Sequence, residues 1–260
     1  MPVPLIAWPG AVAIGVSLGL LGSGGSILTV PVLIYLVGQD EKTAIAGSLF
    51  VVGTIALAGS LQFLRARLID WHNVLVFGLP GMAGTYLGAM IAAFVPGIVQ
   101  LALFAMVMLV ASWMMLRPVK LTDEAHEARE TWKIASDGLF VGVITGLVGV
   151  GGGFLIVPAL VLLGGLAIHN AVATSLVIIA LKSYSGFYKY IDVLEQQELD
   201  LDWPTLGVVT ALGIAGSFVG AKIAGRMPQQ KLRKGFGYFL VVMGIYILAR
   251  SIPELLRVAG

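Results

Sequence analysis

Apolar residues fill this chain in long unbroken runs, not in an alternating or a one-faced pattern. The first charged side chain is Asp40, so Met1 to Gln39 carries none. Thr43–Leu64, Val74–Leu116, Gly138–Leu181, Trp203–Ala221 and Gly235–Ala249 are likewise free of Asp, Glu, Lys and Arg. A membrane-crossing helix needs about 20 such residues, whereas a membrane strand would alternate. The runs predict helices over 4–21, 26–38, 43–64, 73–94 and 98–117, then 134–148, 153–165, 170–190, 203–223 and 233–251. Segments 26–38 and 153–165 are too short to cross about 30 Å of hydrocarbon at roughly 1.5 Å per residue. Each directly follows a glycine cluster, so both read as broken helices that either cross incompletely or re-enter. The expected fold is all-α and integral to the membrane, with about eight full spans and two short segments.

Composition removes the soluble alternatives. Hydrophobic residues make up 58% of the 260, charged residues only 12%, and mean hydropathy is +0.96. A soluble globular enzyme, a disordered tail and a nucleic-acid module are all excluded on those values, so no nucleic-acid partner is expected. The net charge of +2 says little about partners. Without cysteine there is no disulfide framework, thiolate metal site or cysteine nucleophile. The N-terminal run lacks a basic leader region and continues past any cleavage point, so it reads as a membrane segment.

The chain is a duplication. Residues 15–31, GVSLGLLGSGGSILTVP, match residues 142–158, GVITGLVGVGGGFLIVP, at an offset of 127. The same offset pairs Ala44–Leu49 with Ala171–Leu176 and Gly59 with Gly186. After a five-residue insertion the offset becomes 132, pairing Asp70-Trp71 with Asp202-Trp203. It also pairs Gly81, Gly84 and Gly88 with Gly213, Gly216 and Gly220, and Pro96 with Pro228. Shared apolar composition would not hold glycines, prolines and an Asp-Trp pair in register. Residues 1–117 form one repeat of about five segments, 118–133 a polar linker, and 134–260 the second repeat.

Charge indicates that the repeats are inverted. The loop at Arg65 and Arg67 is basic, while its counterpart holds Asp192, Glu195, Glu198, Asp200 and Asp202. Lys and Arg mark the cytoplasmic side. Placing 65–72, 117–133 and 222–234 inside gathers Arg65, Arg67, Arg117, Lys120, Arg129, Lys133, Lys222, Arg226, Lys231, Arg233 and Lys234. Both termini then lie outside, with Trp71 and Trp203 as interfacial anchors on opposite faces.

Candidate chemistry centres on the glycine clusters, Gly22-Ser23-Gly24-Gly25 and Gly149 to Gly153. Irregular backbone at membrane depth is tolerated only beside protein or a watery cavity. Helices starting near Ser26 and Phe154 would aim positive dipole ends at that cavity, which suits an anion. The expected substrate contacts are Gly24, Gly25, Ser26, Gly151, Gly152 and Gly153, with the hydroxyls of Ser48, Thr174 and Ser175. The competing explanation is close packing through small residues such as Gly15/Gly19 and Gly142/Gly146, which accounts for Gly15, Gly19, Gly84, Gly88, Gly216 and Gly220. Lys182 lies inside an apolar run, and its repeat partner is Ile55. It either holds an anionic headgroup or exchanges a proton, or it snorkels to the outer headgroups. All 14 Asp and Glu are expected in loops or at helix ends, including Asp137 and Asp192, which leaves no mid-membrane carboxylate relay. A coupling proton would use Lys182, His72, His169 or the substrate itself; a coupling sodium ion would use carbonyls and hydroxyls. No metal site, cofactor or hydrolytic triad is expected, since His72, His126 and His169 are scattered.

The duplicated G-x-G-G runs (Gly22–Pro31 and Gly149–Pro158), the A-x-[GT]-S-L segments and the Asp-Trp pairs resemble the sulfite exporter TauE/SafE (TSUP) family. The resemblance covers nearly the whole chain. It implies a multi-pass transporter of the bacterial inner membrane that moves sulfite, sulfoacetate or other organosulfonates. Such families are described with eight spans, and the two short segments account for the difference from ten. The function expected is secondary transport of a small anion by alternating access, with the two breaks meeting near the midplane to form the site. The alternatives are an intramembrane enzyme acting on a lipid phosphate, disfavoured by the missing acid or base, and a passive anion channel. The particular anion, the direction of transport and the oligomeric state are not encoded in any motif.

Overall fold

The computed structural model describes residues 7–22, 25–117, 130–149, 156–157, 159–160, 166, 168–224 and 229–259. Among them the chain is helical with no strand. The helices are α1 (Ala7–Leu21), α2 (Gly25–Val37), α3 (Glu41–Arg65), α4 (Trp71–Ala92), α5 (Gly97–Leu116), α6 (Thr131–Val148), α7 (Ile168–Gln196), α8 (Trp203–Ala224) and α9 (Gln229–Ala259). Five of these, α3, α4, α6, α7 and α8, are long and apolar enough to cross a membrane. Shorter apolar helices occupy α1, α2, α5 and the middle of α9. Most of the expected segment 153–165, and the linker from Pro118 to Arg129, lie outside the described residues.

Glycine sets how the helices pack. In a bilayer, lipid tails are as apolar as leucine, so helices associate through close contact, which small residues permit. A methyl group at Gly15 would fall on the Gly213 carbonyl, and one at Gly19 on that of Ser217. From the other side, Gly216 and Gly220 face the carbonyls of Val12 and Val16. Contacts advance together along both chains, so α1 and α8 run parallel. The α4–α6 pair repeats this arrangement. Gly142 faces the Gly81 carbonyl and Gly146 that of Thr85, while Gly84 and Gly88 face those of Leu139 and Val143. Every one of these contacts maps onto its α1–α8 counterpart through the two offsets. The packing explanation for those glycines therefore holds, Gly142 and Gly146 included.

The matched helices themselves run opposite ways. Leu49 lies beside Gly186, Gly53 beside Ser183 and Gly59 beside Leu176, so α3 and α7 are antiparallel. The Ser112 hydroxyl donates to the Gly237 carbonyl at 2.9 Å, while Gly244 packs on Leu109, so α5 and α9 are antiparallel too. Meanwhile α2 folds back along α1. Gly25 packs on Ile14 and Leu18, and Gly10 on Val32 and Leu36. The pair is a hairpin with Gly22 and Gly25 at its closed end.

These directions place Arg65, Arg67, Arg117, Lys133, Lys222 and Lys234 at one end of the bundle. Asp40, Glu41, Glu195, Glu198, Asp200 and Asp202 lie at the other. Trp71 and Trp203 are half-exposed at opposite ends. Asp137 and Asp192 differ from expectation. They sit inside α6 and α7 because both helices extend beyond the charge-free runs into polar sequence. Both remain near their own ends of the bundle, and Asp192 pairs with Lys189 at 2.8 Å.

Matched caps start the equivalent helices. The Asp70 carboxylate accepts the Asn73 amide at 3.0 Å. The Asp202 carboxylate accepts the Thr205 amide at 3.2 Å and the Thr205 hydroxyl at 2.6 Å. The hydroxyl bond holds the Asp202 carboxyl below its ordinary pKa. Replacing either Asp by Ala should cost about 1 kcal/mol. A carboxyl with a depressed folded pKa stabilises above its unfolded value, about 3.9, and loses that contribution as pH falls through the folded value. Thermal melts in detergent should therefore separate Asp202→Ala from the wild type at pH 7 and bring the two together in strong acid.

Candidate functional site

Each glycine cluster begins with a helix cap. Gly22 ends α1 at φ +67° and Gly149 ends α6 at φ +72°, the left-handed conformation that closes a helix without a β-carbon penalty. A side chain is excluded at both for a second reason. A methyl group at Gly22 would overlap Val172, and one at Gly149 would overlap Ile45, residues that are themselves matched at offset 127.

The predicted hydroxyls anchor these breaks. Ser48 donates to the Gly149 carbonyl and, at 2.8 Å, to the Ile45 carbonyl. Ser175 donates to the Gly22 carbonyl at 3.3 Å and to the Val172 carbonyl at 2.8 Å. Thr174 does something else: its hydroxyl accepts the Asp70 amide at 2.9 Å, tying the α3–α4 loop to α7. Ser26 is fully buried in the first turn of α2, and Gly25 serves the α1–α2 contact. Gly24, Gly151, Gly152 and Gly153 lie outside the described residues. Ser48→Ala and Ser175→Ala should each lower stability by about 1 kcal/mol by leaving a break carbonyl without its donor, which melts of the purified variants would measure.

One expectation needs correction. The two breaks are expected from sequence to meet near the midplane, but Gly22 and Gly149 do not converge. Gly22 lies against the start of α7 and Gly149 against the start of α3, and these helices are antiparallel. The two caps therefore sit at opposite ends of the α3–α7 contact, separated by about 20 Å at 1.5 Å rise per residue. The offsets alone equate the two clusters; the antiparallel course of α3 and α7 sets Gly22 and Gly149 apart.

What lies midway is Lys182. It is two turns past Ser175 on α7, where α3 and α7 cross, and its side chain is 0% exposed. Its methylenes run across Gly81 of α4, with Cδ 3.0 Å from where a β-carbon would stand. The amino group is 6.0 Å from the centre of the Phe77 ring. It has no hydrogen-bond partner and forms no ion pair among the described residues. The snorkelling alternative is therefore overturned, because no part of the side chain reaches a surface. The next residue, Ser183, is also fully buried, and its hydroxyl has no partner among the described residues. Tyr184 bonds Thr54 across the crossing at 2.9 Å, and Ser185 donates to the Met82 carbonyl at 2.9 Å.

Two further groups went unremarked in the sequence. Gln100 donates to the Leu147 carbonyl at 2.7 Å and to the Tyr190 hydroxyl at 3.0 Å, while that hydroxyl donates to Leu147 at 3.2 Å. They brace the last turn of α6 just before its break. The signal was present, since Gln100 is the sole Gln, Asn or His between Val74 and Leu116. Lys42 donates to the carbonyls of Ala92 and Val95, the latter at 2.6 Å, and so caps α4. It borders a cavity of about 530 Å³ at the acidic end, with Asp40, Glu41, Pro96 and Gln197.

Relatives give this arrangement a context. A probable membrane transporter protein of Xylella fastidiosa (strain 9a5c) is 32% identical over 246 residues, covering 92% of each chain. One from Methanocaldococcus jannaschii is 24% identical over 258 residues, covering 94% of this chain and 96% of its own. One from Bacillus subtilis (strain 168) is 25% identical over 240 residues, covering 90% and 96%. These proteins are named as transporters, not enzymes. No solved structure matches. The model of the family described as sulfite exporter TauE/SafE matches residues 7–247, and this multi-pass membrane protein belongs to that transporter family.

Proposed function

We propose that the protein is a secondary transporter of a small anion, either sulfite, as the family description suggests, or an organosulfonate. The observation that carries this reading is Lys182, a fully buried amino group without a counter-ion among the described residues, at the middle of the α3–α7 crossing. Buried ionisable groups in membrane helices mark substrate and ion pathways, and one lacking a partner invites an anionic one. The substrate would be held at Lys182. The two glycine breaks, with Gly24, Gly25 and Ser26 on one side and Gly151, Gly152 and Gly153 on the other, would form the approaches from opposite membrane faces. Ser48, Thr174 and Ser175 would fix the geometry of those approaches.

The antiparallel course of α3 with α7, and of α5 with α9, supports two inverted repeats, each closing one approach in turn. The gathering of basic side chains at one end supports placing that end in the cytoplasm of a bacterial inner membrane, with both termini outside. A coupling proton or sodium ion would accompany the anion. The test is flux of labelled sulfite and organosulfonates into proteoliposomes. Uptake above empty vesicles, concentrative under an imposed ion gradient, is the expected result. No flux of any of them overturns the substrate class, and flux that never exceeds equilibrium indicates a passive channel instead.

A further inference from the structure

The duplication is closely kept in its packing, and it is broken at the centre of the α3–α7 crossing. Ile55 stands where Lys182 stands, and Ile55 lies over Gly213 as Lys182 lies over Gly81. Phe77, whose ring faces the amino group, is matched by Val209. The stretch holding Phe77, Val74–Gly78, widens into a π turn, while its counterpart over 206–210 is regular α-helix. Such π turns inside α-helices occur often at functional sites. The three departures from symmetry cluster around one amino group, so the centre of the fold carries a cation on one side and none at the matched position.

Charge balance follows from that one-sidedness. Lys42, the other buried lysine among the described residues, is at the acidic end and is held by two carbonyls. No carboxylate among the described residues is paired with Lys182, and the adjacent Ser183 hydroxyl offers a donor without charge. A desolvated site with one cation is neutral when it holds a single negative charge. A second negative charge would be buried uncompensated, which is costly where the surroundings cannot solvate it.

Building on the anion-transporter reading, we infer that the central site at Lys182 selects monoanions over dianions because Ile55 leaves the second half of the repeat without a cation. The ligand class is a small oxyanion carrying one charge, such as an alkylsulfonate, with its oxygens towards Lys182 and Ser183.

The experiment is competition binding to the full-length protein purified in detergent, where no membrane potential biases ions of different valence. Radiolabelled methanesulfonate is displaced by unlabelled methanesulfonate or by sulfate. Wild type should prefer methanesulfonate by at least about 100-fold. Ile55→Lys supplies the missing cation at the symmetric position, over Gly213, and should narrow that ratio to below about 10-fold or reverse it. Ile55→Met, which changes shape without charge, should keep the wild-type ratio. The engineered cation separates charge balance from the stronger hydration of sulfate. Sulfate binding as well as methanesulfonate in the wild type overturns the inference and leaves the anion reading intact. A folded Ile55→Lys with the wild-type ratio also overturns it. Should Ile55→Lys fail to elute as folded protein, the wild-type ratio compared with Lys182→Met decides, since loss of the cation should abolish high-affinity methanesulfonate binding. Binding of neither anion to the wild type overturns the anion reading and this preference with it.

Discussion

Lys182→Met is expected to abolish anion uptake while making the protein more stable. The two effects have one cause. Methionine matches the length and flexibility of the lysine stem, so the packing across Gly81 is preserved. What disappears is an amino group buried without a partner, and removing such a group stabilises by about 1–4 kcal/mol when apolar atoms take its place. A substrate that depends on that group for its charge balance loses its site, and uptake should fall by at least about 100-fold, into the background of empty vesicles. Melting temperature in detergent and uptake in proteoliposomes should move in opposite directions, as they do where stability has been given up for function. Wild-type uptake by Lys182→Met would remove Lys182 from the transport pathway. A marked fall in melting temperature would show that the amino group has a stabilising partner.

Gly15→Val and Gly142→Val should each prevent the folded protein from accumulating. At both sites the neighbouring atom is a backbone carbonyl, that of Gly213 or Gly81, and a carbonyl cannot rotate away as a side chain can. Separating α1 from α8, or α4 from α6, would forfeit the whole line of close contacts. The cost should exceed the roughly 1–3 kcal/mol typical of overpacking a core. The two variants should behave alike, because the contacts are related by the duplication. Gly207 provides the contrast, with nothing within 4 Å of its missing β-carbon. Gly207→Ala should be neutral or stabilising by up to about 1 kcal/mol through helix propensity. Size-exclusion profiles of detergent extracts would test all three. Monodisperse Gly15→Val would mean that the α1–α8 contact is looser than these positions require.

The sequence by itself determined the elements, the duplication and the charge polarity. Uninterrupted apolar runs have one economical solution in lipid, the helix, because every backbone group must bond within its own segment. Register between repeats survives in glycines, several of which are required by a carbonyl on a neighbouring helix, so Gly15 with Gly142 and Gly84 with Gly216 could be paired from text alone. Basic loops gathered at one end of the bundle were legible for the same reason that they matter, since charges do not hide in hydrocarbon. Tertiary structure decided the partners and the centre. Nothing local specifies that α1 packs on α8 and not on α3, and linear spacing does not say which way two matched helices run. That direction separated Gly22 from Gly149 and left Lys182 midway, enclosed by Phe77, Gly81 and the α3–α7 crossing. Whether a lysine snorkels or is entombed depends on what covers it. Here the cover comes from helices remote in sequence, whose approach is fixed by backbone contacts that no single segment contains.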